Sequence, residues 1–188
     1  MFFDKIRETY HYSRYKKSAK LIEKNHILLD IGCGKPCDSM EDGSFLNYLG
    51  YGIGIDNENC HIKSNFIKGN VLNLPIKSGI FDTVVCLETL EHINPLNLDL
   101  ALQNIHNVLK ENGILIFSTP NNNFFWKIFW LFWNKSIGRM WREKHETEFK
   151  SKEWISLLKK YFTIINIQTY LGIILFVKMV KKSYENGL

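Results

Sequence analysis

The stretch His26-Ile27-Leu28-Leu29-Asp30-Ile31-Gly32-Cys33-Gly34 constrains this chain more than any other. An apolar run ends in an acid, and two glycines follow at once. The run is near-continuously hydrophobic rather than alternating, which predicts a strand buried on both faces of a parallel sheet. The glycines predict the turn that leaves it, since glycine accepts positive φ and lets a ligand approach the backbone. In an open α/β sheet, ligands bind beyond the carboxyl ends of the strands, where this turn falls.

A dinucleotide fingerprint asks for G-x-G-x-x-G. Gly32 and Gly34 satisfy its first half, but Cys37 stands at the third position, behind Lys35 and Pro36. A G-x-G alone is also what a plain structural turn uses. The next apolar run, Tyr51-Gly52-Ile53-Gly54-Ile55-Asp56, ends in an acid 22 residues beyond Gly34. That is close to the ~20 expected of a carboxylate that accepts ribose hydroxyls. A solvated acid at a strand end is the plainer alternative.

The rest of the chain alternates helices with strands. Residues 4–24 predict an amphipathic helix with Ile6, Tyr10, Ala19, Leu21 and Ile22 as packing residues. Tyr10, Tyr12 and Tyr15 suit either a pocket wall or ordinary ring packing. A short helix is expected over Ser44–Leu49 and a weak third strand over Phe66–Lys68. Phe81–Leu87 is β-branched and apolar, as a buried fourth strand should be. Pro95 opens a helix through Lys110 whose Leu98, Leu102, Ile105 and Leu109 form one face, and Asn112-Gly113 is its expected stop. Ile114–Ser118 reads as a fifth strand. Ser151 is the expected cap of a helix bearing Trp154, Leu157, Leu158 and Tyr161. Thr163–Thr169 and Gly172–Met179 read as a closing antiparallel pair. This order predicts a doubly wound, Rossmann-like α/β sheet.

With 188 residues, 45% of them apolar and 23% charged, the chain suits a single domain over 1–188. A net charge of +5 permits an anionic partner, yet no basic groove is evident, so no specific nucleic acid is expected. The four cysteines form no C-x-x-C pair and no Cys/His spacing matches a zinc site, so no metal is expected. Reduced thiols and the lack of an apolar leader or a spanning run predict a cytoplasmic protein.

Asp30-x-Gly32-x-Gly34 resembles the first motif of class I S-adenosylmethionine-dependent methyltransferases. Phe81-Asp82, the buried strand and Leu90-Glu91-His92-Ile93 resemble the small-molecule members, including those of quinone biosynthesis. The resemblance covers residues 26–120 well. It implies strand order 3-2-1-4-5-7-6 with the last strand antiparallel, and S-adenosyl-L-methionine as cofactor. It places the cofactor against Asp30, Gly32, Cys33, Gly34, Asp56, Asn57, Asn70, Val71, Leu87 and Glu88. Asn70 stands where the family commonly has an acid facing the adenine amino group. Its amide oxygen can accept and its nitrogen donate. Leu72 suits either the adenine or the core.

The implied reaction is methyl transfer to a small, hydrophobic or lipid-linked acceptor. His92 and His145 are the candidate bases, because histidine titrates near neutrality. The rival reading is a catalytically inactive methyltransferase-like binding or partner module. A nicotinamide-dependent reductase is disfavoured by Cys37. An insertion over about 121–145 carries Phe124-Phe125-Trp126-Lys127-Ile128-Phe129-Trp130-Leu131-Phe132-Trp133. It suits a lid over an apolar pocket, a peripheral membrane contact or a homodimer contact, since an apolar patch of that size rarely goes unused.

Overall fold

A computed structural model describes residues 2–34, 44–60, 62, 65–123, 145–170 and 172–183. The aromatic run 124–133, most of its flanking insertion and Cys37 lie outside the described residues. So do the side chains of Ile6 and Tyr10.

The elements are α1 (Phe2–Ala19), β1 (Leu28–Ile31), α2 (Phe45–Leu49), β2 (Ile53–Asp56), β3 (Asn65–Lys68) and β4 (Phe81–Leu87). There follow 3-10 turns over Leu90–His92 and Pro95–Asn97, then α3 (Leu98–Val108), β5 (Leu109–Pro120), α4 (Ser151–Leu158), β6 (Phe162–Tyr170) and β7 (Ile174–Lys181). The seven strands form one sheet in the order β3-β2-β1-β4-β5-β7-β6. Neighbours from β3 to β5 run parallel, and β7 is antiparallel to both β5 and β6. This is the doubly wound sheet expected from the alternation of strands and helices.

Alternation along each strand divides the core into two layers. Val84, Cys86, Leu115 and Phe117 face α3 and α4, where they meet Leu98, Leu102, Ile105, Trp154 and Leu158. Val85, Leu87, Ile114 and Ile116 face the other way, against Tyr15 of α1 and Phe45 and Leu46 of α2. A strand so covered on both sides has no polar face, which is why β1 and β4 read as continuous apolar runs. Tyr15 is a core residue packed on Phe45 with ring centroids 5.5 Å apart, whereas Tyr12 is exposed.

Three local expectations are corrected. The helix expected to run to Lys110 ends at Val108, because Leu109 is already extended and pairs with Phe81. Asn112 (φ 60°) and Gly113 therefore shape an irregularity inside β5 rather than stop a helix. Ser151 does not cap α4. Lys150 is the cap residue, its N–H donating to Glu153 Oε2 at 2.7 Å, while the Ser151 hydroxyl donates to Asn121 Oδ1 at 2.6 Å. The first helix closes at Ala19, so Leu21 and Ile22 pack from the connection that follows. Among the described residues no helix is long and apolar enough to cross a membrane.

Candidate functional site

The carboxyl ends of β1, β2 and β4 meet at one edge of the sheet, and the glycine turn lies across them. Gly32 has φ 75° and donates its N–H to the Ile55 carbonyl at 2.9 Å, which ties the turn to β2. A Cβ on Gly32 would stand 2.2 Å from Thr89 Oγ1. Glycine is thus required by the backbone and by Thr89, whose hydroxyl donates to the Ile31 carbonyl at 3.1 Å. The sequence offered no sign of Thr89, because the contact joins two loops distant in the chain.

Gly34 faces Asp56. The Gly34 N–H donates to Asp56 Oδ2 and the Glu58 N–H to Asp56 Oδ1, both at 3.0 Å. The carboxylate is held at the end of β2 by two backbone donors, and each oxygen keeps a lone pair for a further donor. A Cβ on Gly34 would sit 3.0 Å from Oδ2, so glycine leaves the carboxylate uncovered. Cys33 is buried, its thiol turned against Gly54 and Ile62. Asn57 is exposed beside Asp56.

Asp30 is 2% exposed at the centre of this edge. Burial, reinforced by Asp56 and opposed by Arg14, pushes its carboxyl up to about 8. Arg14 is a second residue that sequence reasoning missed. It lies on α1, 3% exposed, ion-paired with Glu88 and hydrogen-bonded to His11 Nδ1 at 2.9 Å. Its charge acts on Asp30 and on Glu91. The available signal was a cation on an otherwise packed helix. Glu88 adopts φ 54° just past β4 and donates its N–H to the Ser118 carbonyl at 2.8 Å, while Leu87 is buried beneath it.

Asn70 and Val71 follow β3. Asn70 Oδ1 accepts from the Leu72 N–H at 2.9 Å, closing an Asx turn, and the Val71 carbonyl accepts from Asn104 Nδ2 at 2.9 Å. Leu72 packs against the core.

Beyond β4, the 3-10 turn Leu90–His92 receives the returning segment 145–149. The N–H groups of Glu146 and Thr147 both donate to the Glu91 carbonyl at 2.9 Å, and Thr147 Oγ1 donates to the Ile93 carbonyl at 2.7 Å. His145 is thereby brought to His92, ring centroids 5.1 Å apart and edge to face. Burial, helped by His92, lowers the pKa of His145, which keeps that imidazole neutral near pH 7. Burial above all, with Glu88 adding to it, raises Glu91 well above the usual carboxylate range. No metal was expected from the cysteine and histidine spacing. The fold nevertheless gathers two sets of three candidate ligands, Cys33–Asp56–Cys60 and Glu91–His92–His145, each with its ligand atoms within 4.8 Å of one another. A polar depression lined by Glu23, His26, Asp82 and Lys110 lies at the opposite end of the strands, where Lys110 and Asp82 pair at 2.7 Å.

A family described as "Methyltransferase domain" matches residues 3–165, and the chain belongs to it. An uncharacterised protein of Methanocaldococcus jannaschii is 33% identical over 109 residues, covering 54% of this chain and 44% of that protein. A ubiquinone biosynthesis O-methyltransferase of Rickettsia canadensis is 29% identical over 106 residues, covering 50% of this chain and 42% of that protein. The chain thus spans about half the length, or less, of the curated relatives it matches. The N-methyltransferase NodS of Bradyrhizobium japonicum, crystallised with S-adenosyl-L-homocysteine, superposes with a TM-score of 0.63 at 16% identity, covering 92% of this chain and 87% of that one. At that identity the likeness is one of fold.

The family's cofactor is S-adenosylmethionine, and the residues present suit it. The Asp56 carboxylate is held in place and left uncovered by Gly34, as a ribose pair of hydroxyls requires. Asp30 is a buried acid close to the turn, whose charged form a nearby ammonium group would favour.

Proposed function

We propose that the chain transfers the methyl group of S-adenosylmethionine to a small acceptor with a hydrophobic or lipid-like part. The observation that carries the cofactor half is the Asp56 clamp, a carboxylate fixed by Gly34 and Glu58 N–H groups at the end of β2. In this reading Asp56 accepts from the ribose, the Gly32–Gly34 turn passes under the methionine part, and Asp30 faces its amino end. Asn70 meets the adenine with its amide, whose oxygen caps the Leu72 N–H and keeps a second lone pair for the adenine amino group.

The cofactor supplies an electrophilic methyl carbon on a sulfonium, already a good leaving group. The acceptor atom forms a bond to that carbon as the carbon–sulfur bond breaks, its electron pair passing to sulfur. The chain's task is alignment, which can supply ~7–11 kcal/mol of the barrier. A hydroxyl acceptor also loses its proton, and His92 and His145 stand at the exit of β4 to take it or to steer its loss.

The hydrophobic part of the acceptor rests on composition. Residues Phe124 to Trp133 are aromatic or aliphatic except for Lys127. Such a segment calls for burial against an apolar substrate, a lipid surface or a second copy. Calorimetry with S-adenosylhomocysteine tests the cofactor reading, with NADH as control. One site per chain is expected, and Asp56→Ala should weaken it by ~1.5–3 kcal/mol, the value of a charge-assisted hydrogen bond. Unchanged affinity in a folded Asp56→Ala chain removes Asp56 from the site. Binding of NADH in preference would overturn the reading.

A further inference from the structure

Glu91 is 2% exposed, and among the described residues neither of its carboxyl oxygens completes a hydrogen bond of standard geometry, although the buried Thr119 hydroxyl, itself unsatisfied, is close enough to favour its charged form. Burying a carboxyl group without a hydrogen bond is costly, and burying the charged form without a counter-ion costs several kcal/mol more. Native chains seldom leave such a group without a purpose. Here the cost falls at a place that the backbone builds with care. Two N–H groups from the returning segment are spent on the Glu91 carbonyl, and Thr147 spends its hydroxyl on the next turn. Their common effect is to set His145 beside His92 and Glu91, all three ligand atoms within 4.8 Å of one another.

We propose that Glu91, His92 and His145 bind a divalent first-row transition metal ion. The donor set decides the class. Two imidazole nitrogens and one carboxylate suit zinc, cobalt, manganese or iron, whereas magnesium prefers an all-oxygen octahedron and keeps its waters. Three protein ligands leave a coordination position open, the arrangement of a catalytic rather than a structural ion. A dication answers the buried carboxylate directly, adding a contacting counter-charge to the field of Arg14, which is itself ion-paired with Glu88.

The surrounding charges agree. Arg14 is the nearby cation, and it is ion-paired with Glu88, which also acts electrostatically on both Glu91 and His145. The negative groups around the cluster thus exceed the positive ones once Glu91 is ionised. The rival cluster, Cys33–Asp56–Cys60, is less apt. Both oxygens of its carboxylate already accept backbone N–H groups, and that carboxylate serves the ribose edge.

The position gives the ion a use. Thr89 touches the cofactor turn, and Glu91 follows two residues later on the same loop. An ion at Glu91 therefore stands where an acceptor would approach the methyl group. There it would orient an oxygen acceptor and ease the loss of its proton, so that with an ion bound His92 and His145 steer that loss as ligands and do not take the proton themselves. That role rests on the methyl-transfer reading; the binding itself does not.

The test uses the full chain, freed of metal by dialysis against a chelator and titrated with cobalt(II) as a spectroscopic probe. Expected are ligand-field bands in the visible that saturate at one cobalt per chain, displaced by zinc and unaffected by a large excess of magnesium. Glu91→Gln and His145→Ala should each weaken cobalt binding tenfold or more, judged against the 10–100-fold typical of changes made even outside the ligand shell. Cys60→Ser should leave binding intact. S-adenosylhomocysteine affinity, measured on the same samples, reports that the variants are folded. Cobalt binding that survives His145→Ala but is lost in Cys60→Ser overturns the proposal, and so does a folded, cofactor-binding chain that takes up no cobalt. Loss of S-adenosylhomocysteine binding with cobalt binding retained would count against the cofactor reading alone.

Discussion

Asp30 links the chemistry of the site to the stability of the chain. Its carboxyl titrates near 8 in the folded chain, chiefly because it is buried, against ~4 when unfolded. Between those values the folded state holds a proton that the unfolded state has lost. The stability that this group contributes is full below about pH 4 and is lost as pH rises through about 8. Asp30→Asn removes that dependence. The stability difference between wild type and Asp30→Asn, from urea titrations at several pH values, should therefore move against the wild type as pH rises. A constant difference would mean that Asp30 is ionised throughout. A cofactor ammonium beside Asp30 favours its charged form, so binding S-adenosylhomocysteine at pH 7 should release a proton, seen as a buffer-dependent heat that Asp30→Asn abolishes. Gly32 is the other residue whose cost can be foreseen. With φ at 75° and Thr89 Oγ1 2.2 Å from where a Cβ would lie, Gly32→Ala combines ~1–2 kcal/mol of backbone strain with ~1–3 kcal/mol of overpacking. A lowered urea midpoint at unchanged slope is expected. A midpoint equal to wild type would mean that Thr89 yields freely.

At the scale of elements, the Asx turn after β3 carries a prediction that its hydrogen bond sharpens. Asn70 Oδ1 caps the Leu72 N–H, so Asn70→Asp keeps that cap with one oxygen and offers the other to the adenine amino group. Cofactor affinity should be preserved or increased, because a carboxylate is the stronger acceptor. A marked loss would show that the amide nitrogen of Asn70 is the working group. What was legible in the sequence follows the range of the forces involved. β4 begins at Phe81 and ends at Leu87 as its apolar run does, and α2 begins after the Ser44 cap, whose Oγ accepts from the Asn47 N–H at 3.1 Å. Apolar period and capping act over a few residues, so they can be read locally. The end of α3 could not. Asn112-Gly113 looks like a helix stop, yet pairing of Leu109 with Phe81 ends the helix sooner, and that pairing is a tertiary contact. The same limit hid half of the site. Asp30 and Asp56 announce themselves at strand ends, whereas Arg14 with Glu88, Thr89 under Gly32 and His145 beside His92 join segments that only the fold brings together.

At the scale of the whole molecule, the proposed cofactor contacts come from the ends of four neighbouring strands and from the helix that covers them. Asp30 belongs to β1, Asp56 to β2, Asn70 to the turn after β3, and Glu88 to the loop after β4, where Arg14 of α1 is tied to it. A ligand that spans them binds the folded chain and not the unfolded one, so it must raise stability by mass action. At a hundredfold excess over its dissociation constant the gain is about 2.7 kcal/mol. For a chain of this size each kcal/mol moves Tm by about 2–4 °C, so S-adenosylhomocysteine should raise Tm by about 5–11 °C. NADH at the same concentration should leave it unchanged. The aromatic run enters here as a contrast. Its residues lie between β5 and α4 in sequence and outside the proposed cofactor contacts. Changing Trp126, Phe129 and Trp130 together to serine should therefore keep the S-adenosylhomocysteine shift, while raising KM for a hydrophobic acceptor, as loss of remote binding contacts does. Flotation of the wild type with liposomes separates the uses of that run. Recovery with lipid favours a membrane contact, and its absence favours contact with the acceptor or a second copy, which sedimentation then distinguishes. A triple variant that loses the cofactor shift would tie the run to the cofactor site instead. One that methylates a small, fully polar acceptor as fast as the wild type would remove the hydrophobic acceptor from the proposal.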